Sequence, residues 1–274
     1  MSLSALLARP LAALLLCALS LGALAQEPDP QASPRWQQLR ERLFKDRSIE
    51  TGSAVVTLEA PARAADAALV PLAVRAQFPQ GPSRRIERLW LVVDSNPSPV
   101  AALFRYGPAS GRADVATRVR IDEYTFVRAI AETDDGRLHM AVRYVKASGG
   151  CSAPPAKDAQ AARATLGQMR LRVHPPLPPG EPAPAQLLVR HPNHSGMAMD
   201  PLTRQYEPAH FVRSVEVSYR GRPVLSAELD FSISENPHLR FFFVPQQGGE
   251  LRAEAVDSQD RRFEAALDLD RPER

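Results

Sequence analysis

The chain has 274 residues, 24% of them charged and 44% hydrophobic, with a formal net charge of +3. Basic and acidic residues are interspersed, so there is no basic stripe of the kind nucleic acid requires. Two cysteines occur in all, and no P-loop, GxGxxG, CxxC or G-x-S-x-G motif.

Residues 1–25 read as a secretory signal. Arg9 supplies the positive charge, Leu11 to Leu24 an apolar run, and Ala23-Leu24-Ala25 a small-x-small cleavage signature before Gln26. The run is short of the ~20 residues that span a bilayer. Cys17 lies inside it and leaves with it, so the sequence predicts a periplasmic protein with no membrane attachment after cleavage. Removal takes one arginine and no acid, leaving about 249 residues at a net charge of +2. That length suits two small domains.

Residues 26–50 form an N-terminal helical segment. Ser33 and Pro34 suit an N-cap and first helical position, and Trp36, Leu39, Leu43 and Phe44 recur at helical spacing up to about Arg47. Residues 51–151 are β in pattern. Val55 to Leu58, Leu72 to Phe78, Leu89 to Val93, Ala101 to Tyr106, Thr117 to Ile121 and Thr125 to Glu132 are runs bounded by Gly, Pro, Asn or Asp. A final strand, Leu138 to Lys146, enters through a hairpin at Asp134-Asp135-Gly136.

Residues 152–165 lack large apolar side chains and read as a linker. Residues 166–274 are β again. Strands fall at Met169 to Val173, Gln186 to Arg190, Ser214 to Tyr219, Pro223 to Phe231 and Leu239 to Val244. The set closes with Leu251, Ala253 and Ala255 pairing through a turn at Asp257 to Asp260 with Phe263, Ala265 and Leu267. The expected fold is all-β: two immunoglobulin-like antiparallel sandwiches of about 100 residues each, packed on each other, behind one short helix.

Cys151 is the one cysteine left after export. Gly149 and Gly150 precede it, and Ser152, Ala153, Pro154 and Pro155 follow. A single cysteine in an exported chain implies intermolecular pairing or a reactive thiol. The glycines permit backbone angles that other residues resist, so the segment reads as an arm holding its thiol away from any core. Fully extended, Ala147 to Cys151 reach roughly 17 Å, which suits a carrier entering a partner's cleft better than an enzyme with a fixed nucleophile. A Cys-His hydrolase would need His139 or His210 as base. The run from His191 to Met199 offers His191, His194, Met197 and Met199 to a copper ion, with His210 or His174 as a third nitrogen. Its spacing matches no metal motif, and its Pro, Asn and Gly mark a surface loop. No cofactor and no metal are expected.

Specific stretches resemble known families. Leu188-Val189-Arg190-His191-Pro192, Met199-Asp200-Pro201-Leu202-Thr203, Pro208-Ala209-His210-Phe211-Val212 and Ser232 to Leu239 with Phe241 to Phe243 resemble SoxZ. Ser148-Gly149-Gly150-Cys151 is similar to the Gly-Gly-Cys-Gly-Gly carrier arm of SoxY. The whole resembles the SoxYZ-like carrier fusions associated with quinoprotein dehydrogenases. The resemblance implies a non-enzymatic periplasmic carrier that holds a thiosulfate-derived or related sulfur intermediate covalently on Cys151, with Gly149 and Gly150 making the arm. Implied partners are periplasmic sulfur-oxidising enzymes or c-type cytochromes, with a PQQ-dependent dehydrogenase as a further class. The alternative is an accessory or maturation partner of such a dehydrogenase, its thiol incidental. Two departures stand out: in SoxY the arm ends the chain, whereas here it continues, and Ser152 and Ala153 replace the second glycine pair.

Overall fold

The computed structural model describes residues 28–52, 54–153, 159–199 and 204–270. The signal reading lies outside them. Among the described residues no helix is long and apolar enough to cross a membrane.

Helix α1 (Pro34–Phe44) starts as the sequence predicts. The Ser33 side chain accepts the Trp36 N–H, and Pro34 fills a first-turn position that needs no donor. The first half then supplies β1 (Ile49–Thr51), β2 (Val56–Glu59), β3 (Val70–Ala76), β4 (Ile86–Val93), β5 (Val100–Tyr106), β6 (Val115–Val119), β7 (Thr125–Thr133) and β8 (Leu138–Val145). The second supplies β9 (Met169–Val173), β10 (Ala183–Val189), β11 (Val212–Tyr219), β12 (Arg222–Leu229), β13 (His238–Phe243), β14 (Glu250–Asp257) and β15 (Arg262–Asp268). The predicted strands are all present. The apolar pairs of the last hairpin fall in register as expected, Leu251 opposite Leu267, Ala253 opposite Ala265 and Ala255 opposite Phe263. Strand β1, only three residues long and parallel to β8, carries no alternation and was not foreseen. The supposed linker contains a short helix, α2 (Ala159–Ala164); four of its six residues are alanine, the strongest helix former.

The two halves do not pack as separate sandwiches. They join edge to edge, so that each sheet runs through both. One sheet has nine strands in the order β1-β8-β7-β4-β5-β12-β11-β14-β15, the other six in the order β2-β3-β6-β13-β10-β9. At the seam β5 pairs with β12 over five residues, from Tyr106 opposite Leu225 to Ala102 opposite Leu229. In the other sheet β6 meets β13 at Ala116 and Arg240. This merger disposes of two exposed strand edges per half, each a row of unpaired backbone donors and acceptors. Close approach at the seam depends on Gly107, where a Cβ would stand 2.2 Å from the Pro223 carbonyl oxygen. The Gly107 N–H donates to Val224 O at 2.9 Å.

Between the sheets lies one apolar core common to both halves, including Phe104, Val115, Leu225 and Phe241. A second cluster covers the outer face of β4, β7 and β8. There α1 lays Trp36 and Phe44 on Trp90, Ile130 and Met140, which is why all nine residues of β7 are buried.

A buried thiol at the seam

Beyond β8 the chain stays hydrogen-bonded. Lys146 N–H donates to Ala62 O, Gly149 N–H to Asp122 O at 2.8 Å and Gly150 N–H to Ile121 O at 2.9 Å. The expected free arm is therefore docked, and Cys151 is 0% exposed. The physical reason lies in the same glycines that suggested freedom. A Cβ on Gly150 would sit 2.1 Å from Ala67 O and 2.6 Å from Ile121 O. Only a residue without one lets the arm's backbone press so closely onto its neighbours. Gly149 adopts a φ of +77° with open space around it, a conformation glycine takes without strain.

Residues from both halves close the site. Arg120, 5% exposed, follows β6. It donates from one Nη to Gly150 O at 3.2 Å and from the other to Asn193 O at 3.3 Å. Ser195 Oγ donates to the Cys151 carbonyl. Asn96 ties the strap beneath the arm across the seam, donating to Arg120 O and Ser232 Oγ and accepting the Asp122 N–H. Burial pushes the Cys151 thiol up to about 12, with Asp122 and Asp230 adding to the rise and Arg120 opposing it. Docked, Cys151 is held as a neutral thiol with no exposed surface. His139 and His210, the two conceivable bases, pair elsewhere: His139 Nδ1 is 3.3 Å from Glu50, and His210 faces Asp257.

The loop from His191 to Ser195 is a structural anchor, not the surface loop its composition suggests. His191, Asn193 and Ser195 are all buried. Asn193 donates to Ile233 O and accepts the Val212 N–H. His191, His210 and Asp257 converge. His191 Nδ1 accepts the Asn193 N–H at 3.1 Å, which puts its proton on Nε2. That Nε2 stands 3.2 Å from His210 Nε2 and 3.6 Å from Asp257 Oδ2, while His210 Nε2 is 2.7 Å from the same oxygen. The ligand atoms of the trio all lie within 4.8 Å of one another, with the Asp257 carboxylate facing His210 at hydrogen-bond distance. Burial and the His210 ring push His191 down to about 4, against the pull of Asp257. Of the copper donors the sequence offers, His191 and His210 come together, while His174 turns to Gln186 and His194 stands 3.8 Å from Glu207.

Sequence reasoning placed Cys151, Gly149 and Gly150 and missed Arg120, Asn193, Ser195 and Asp257 as parts of this region. Arg120 and Asp257 look locally like any strand-end arginine and any turn aspartate. Arg120 finds Asn193 only across the seam, and Asp257 finds His191 and His210 only once distant loops of the second half meet.

Comparison with known proteins finds two family matches in tandem. Residues 40–151 match the sulfur oxidation protein SoxY, and residues 172–268 the sulphur oxidation protein SoxZ. No curated protein sequence matches the chain. Among solved structures, the sulfur carrier protein SoxY from Chlorobium limicola f. thiosulfatophilum is 22% identical with a TM-score of 0.34, over 41% of this chain and 91% of that one. Superoxide reductase (neelaredoxin) from Ignicoccus hospitalis is 17% identical with a TM-score of 0.31, over 36% and 94%. The fibronectin(III)-like modules of Clostridium thermocellum CbhA are 9% identical with a TM-score of 0.25, over 78% and 92%.

Proposed function

Since this chain belongs to the SoxY and SoxZ families, one domain of each in a single polypeptide, we propose that it is a periplasmic carrier holding a sulfur intermediate covalently on Cys151. The observation that carries the proposal is positional: the SoxY match ends on Cys151 itself, the only cysteine in the described residues.

In this reading the docked arm is the resting state. At a pKa of about 12 the thiolate fraction at neutral pH is on the order of one in 10⁵. An undocked thiol near the ordinary 9.0 is about one per cent ionised. Loading therefore requires the arm to leave its site, carried by the exposed residues Ser148, Gly149 and Ser152. Attachment of thiosulfate as Cys–S–S–SO₃⁻ releases one proton and two electrons. An electron acceptor must take part, so the fitting partners are c-type cytochromes and other sulfur-oxidising enzymes. The chain itself is not an enzyme in this account: the charged groups acting on the thiol are Asp122, Arg120 and Asp230, and none is a base in hydrogen-bond contact with it.

Complementation tests the proposal. In a host deleted for this gene, Cys151→Ser should fold normally and fail to restore growth on reduced sulfur compounds. Full restoration by that variant would sink the carrier reading and favour an accessory role in which the thiol is incidental.

A further inference from the structure

The two outer faces of the sandwich differ in how their arginines are partnered. On the nine-stranded sheet Arg105 pairs with Glu228, Arg252 with Glu254 and Glu264, and Arg213 with Asp260. On the six-stranded sheet the inward residues are the apolar ones, and alternation sends Arg75, Arg118, Arg170, Arg172 and Arg240 outward. Glu59 pairs with Arg75. Arg118, Arg170, Arg172 and Arg240 have no carboxylate partner among the described residues. Arg118 donates to Asn236 O, while its Nε is buried without any partner.

The strand register sets these cations in two rows across the sheet. One runs Glu59, Ala73, Ala116, Arg240, Gln186, Arg172. The other passes through Pro71, Arg118, His238, Leu188 and Arg170. The small side chains of Ala73 and Ala116 leave a groove of about 1000 Å³ along the seam, with Arg118, Arg240, Phe242 and Leu188 among its lining. The carboxylates lining the groove, Glu59 and Asp114, are taken up by Arg75 and Arg112. Among the described residues this leaves Arg118 and Arg240 as like charges without a counter-charge of their own, an arrangement that opposes stability. Natural surfaces normally intersperse the two signs.

We propose that this groove docks an acidic segment of a partner protein, its carboxylates meeting Arg118 and Arg240 and an apolar side chain resting on Phe242 and Leu188. A concave floor with apolar walls suits a polypeptide better than a flat lipid surface. Arg118 comes from the first half and Arg240, Phe242 and Leu188 from the second, so the site exists only where the seam is formed. The partner thereby reads the joined pair of domains rather than either alone. This surface is separate from the thiol and does not depend on the carrier reading.

The test is fluorescence anisotropy of a labelled Glu-Glu-Leu repeat peptide against the full chain at low salt and at ~150 mM. Saturable, salt-sensitive binding is expected, weakened by about tenfold or more in Arg118→Gln/Arg240→Gln. It should also weaken in Arg240→Gln alone, which spares the partly buried Arg118. Arg213→Gln on the opposite face and Cys151→Ser should bind as the parent does. Equal binding by the groove variants would overturn the proposal. So would groove-dependent capture of phosphatidylglycerol vesicles or an oligonucleotide in place of the peptide, or groove-dependent self-association of the chain.

Discussion

At Gly150 a single hydrogen atom in place of a methyl group decides whether the arm can dock. Gly150→Ala should keep the fold, since the residue lies outside every strand, but drive the arm off Ala67 and Ile121. Iodoacetamide labelling of Cys151 should then be at least about tenfold faster than in the parent at pH 7. A parental rate would show that the thiol is reached without undocking. The pH dependence has a definite sign. The docked thiol's pKa is raised, from an ordinary 9.0 to about 12, so docking is fully favoured below about pH 9 and is lost as pH rises toward 12. His191 acts at the other end. Its folded pKa is lowered from 6.5 to about 4, so the unfolded chain takes up a proton the folded one refuses between those values. Stability should fall by on the order of 3 kcal/mol as pH drops from 6.5 to 4. Denaturant titrations at both pH values check this, and His191→Gln should flatten the difference.

At the level of elements, the helix α1 is fastened by a buried ion pair as well as by its aromatic stripe. Arg128 on β7 is fully buried, donates twice to Asp94 and once to Pro30 O, and lies 4.1 Å from the Trp36 ring. Burial outweighs the guanidinium at Asp94, whose pKa is raised in spite of Arg128. Arg128→Leu leaves that carboxylate buried and alone, at a cost of about 3–5 kcal/mol, while Asp94→Leu/Arg128→Leu should lose much less. Denaturant unfolding of the two variants distinguishes this from a simple packing loss, in which the double change would be the worse. The helix itself was legible because Ser33, Pro34 and the spacing of Trp36, Leu39, Leu43 and Phe44 are local signals. Its fastening was not, because Arg128 sits within a strand pattern and Asp94 in a turn.

For the molecule as a whole, the continuous sheets predict one cooperative unit. Both halves share a single core and both sheets run across the seam, through β5–β12 and β6–β13, so calorimetry should show one transition. Two separated transitions would mean that the seam contributes little. Alternation of residues such as Val215, Val217 and Tyr219 made the sandwich class readable, because burial has the same period as the strand. The seam was not readable: Tyr106 opposite Leu225 is a pairing across more than a hundred residues, with no motif on either side. The arm was not readable as docked either, because the carbonyls it packs on, at Ala67, Ile121 and Asp122, are remote in sequence and Ser195 reaches its end from across the seam. The central claim is best tested by intact-protein mass spectrometry of material purified from the native host, with and without reductant. The account predicts reductant-labile sulfur additions, in steps of about 32 Da, that map to Cys151. An unmodified Cys151 in cells actively oxidising reduced sulfur compounds would contradict it.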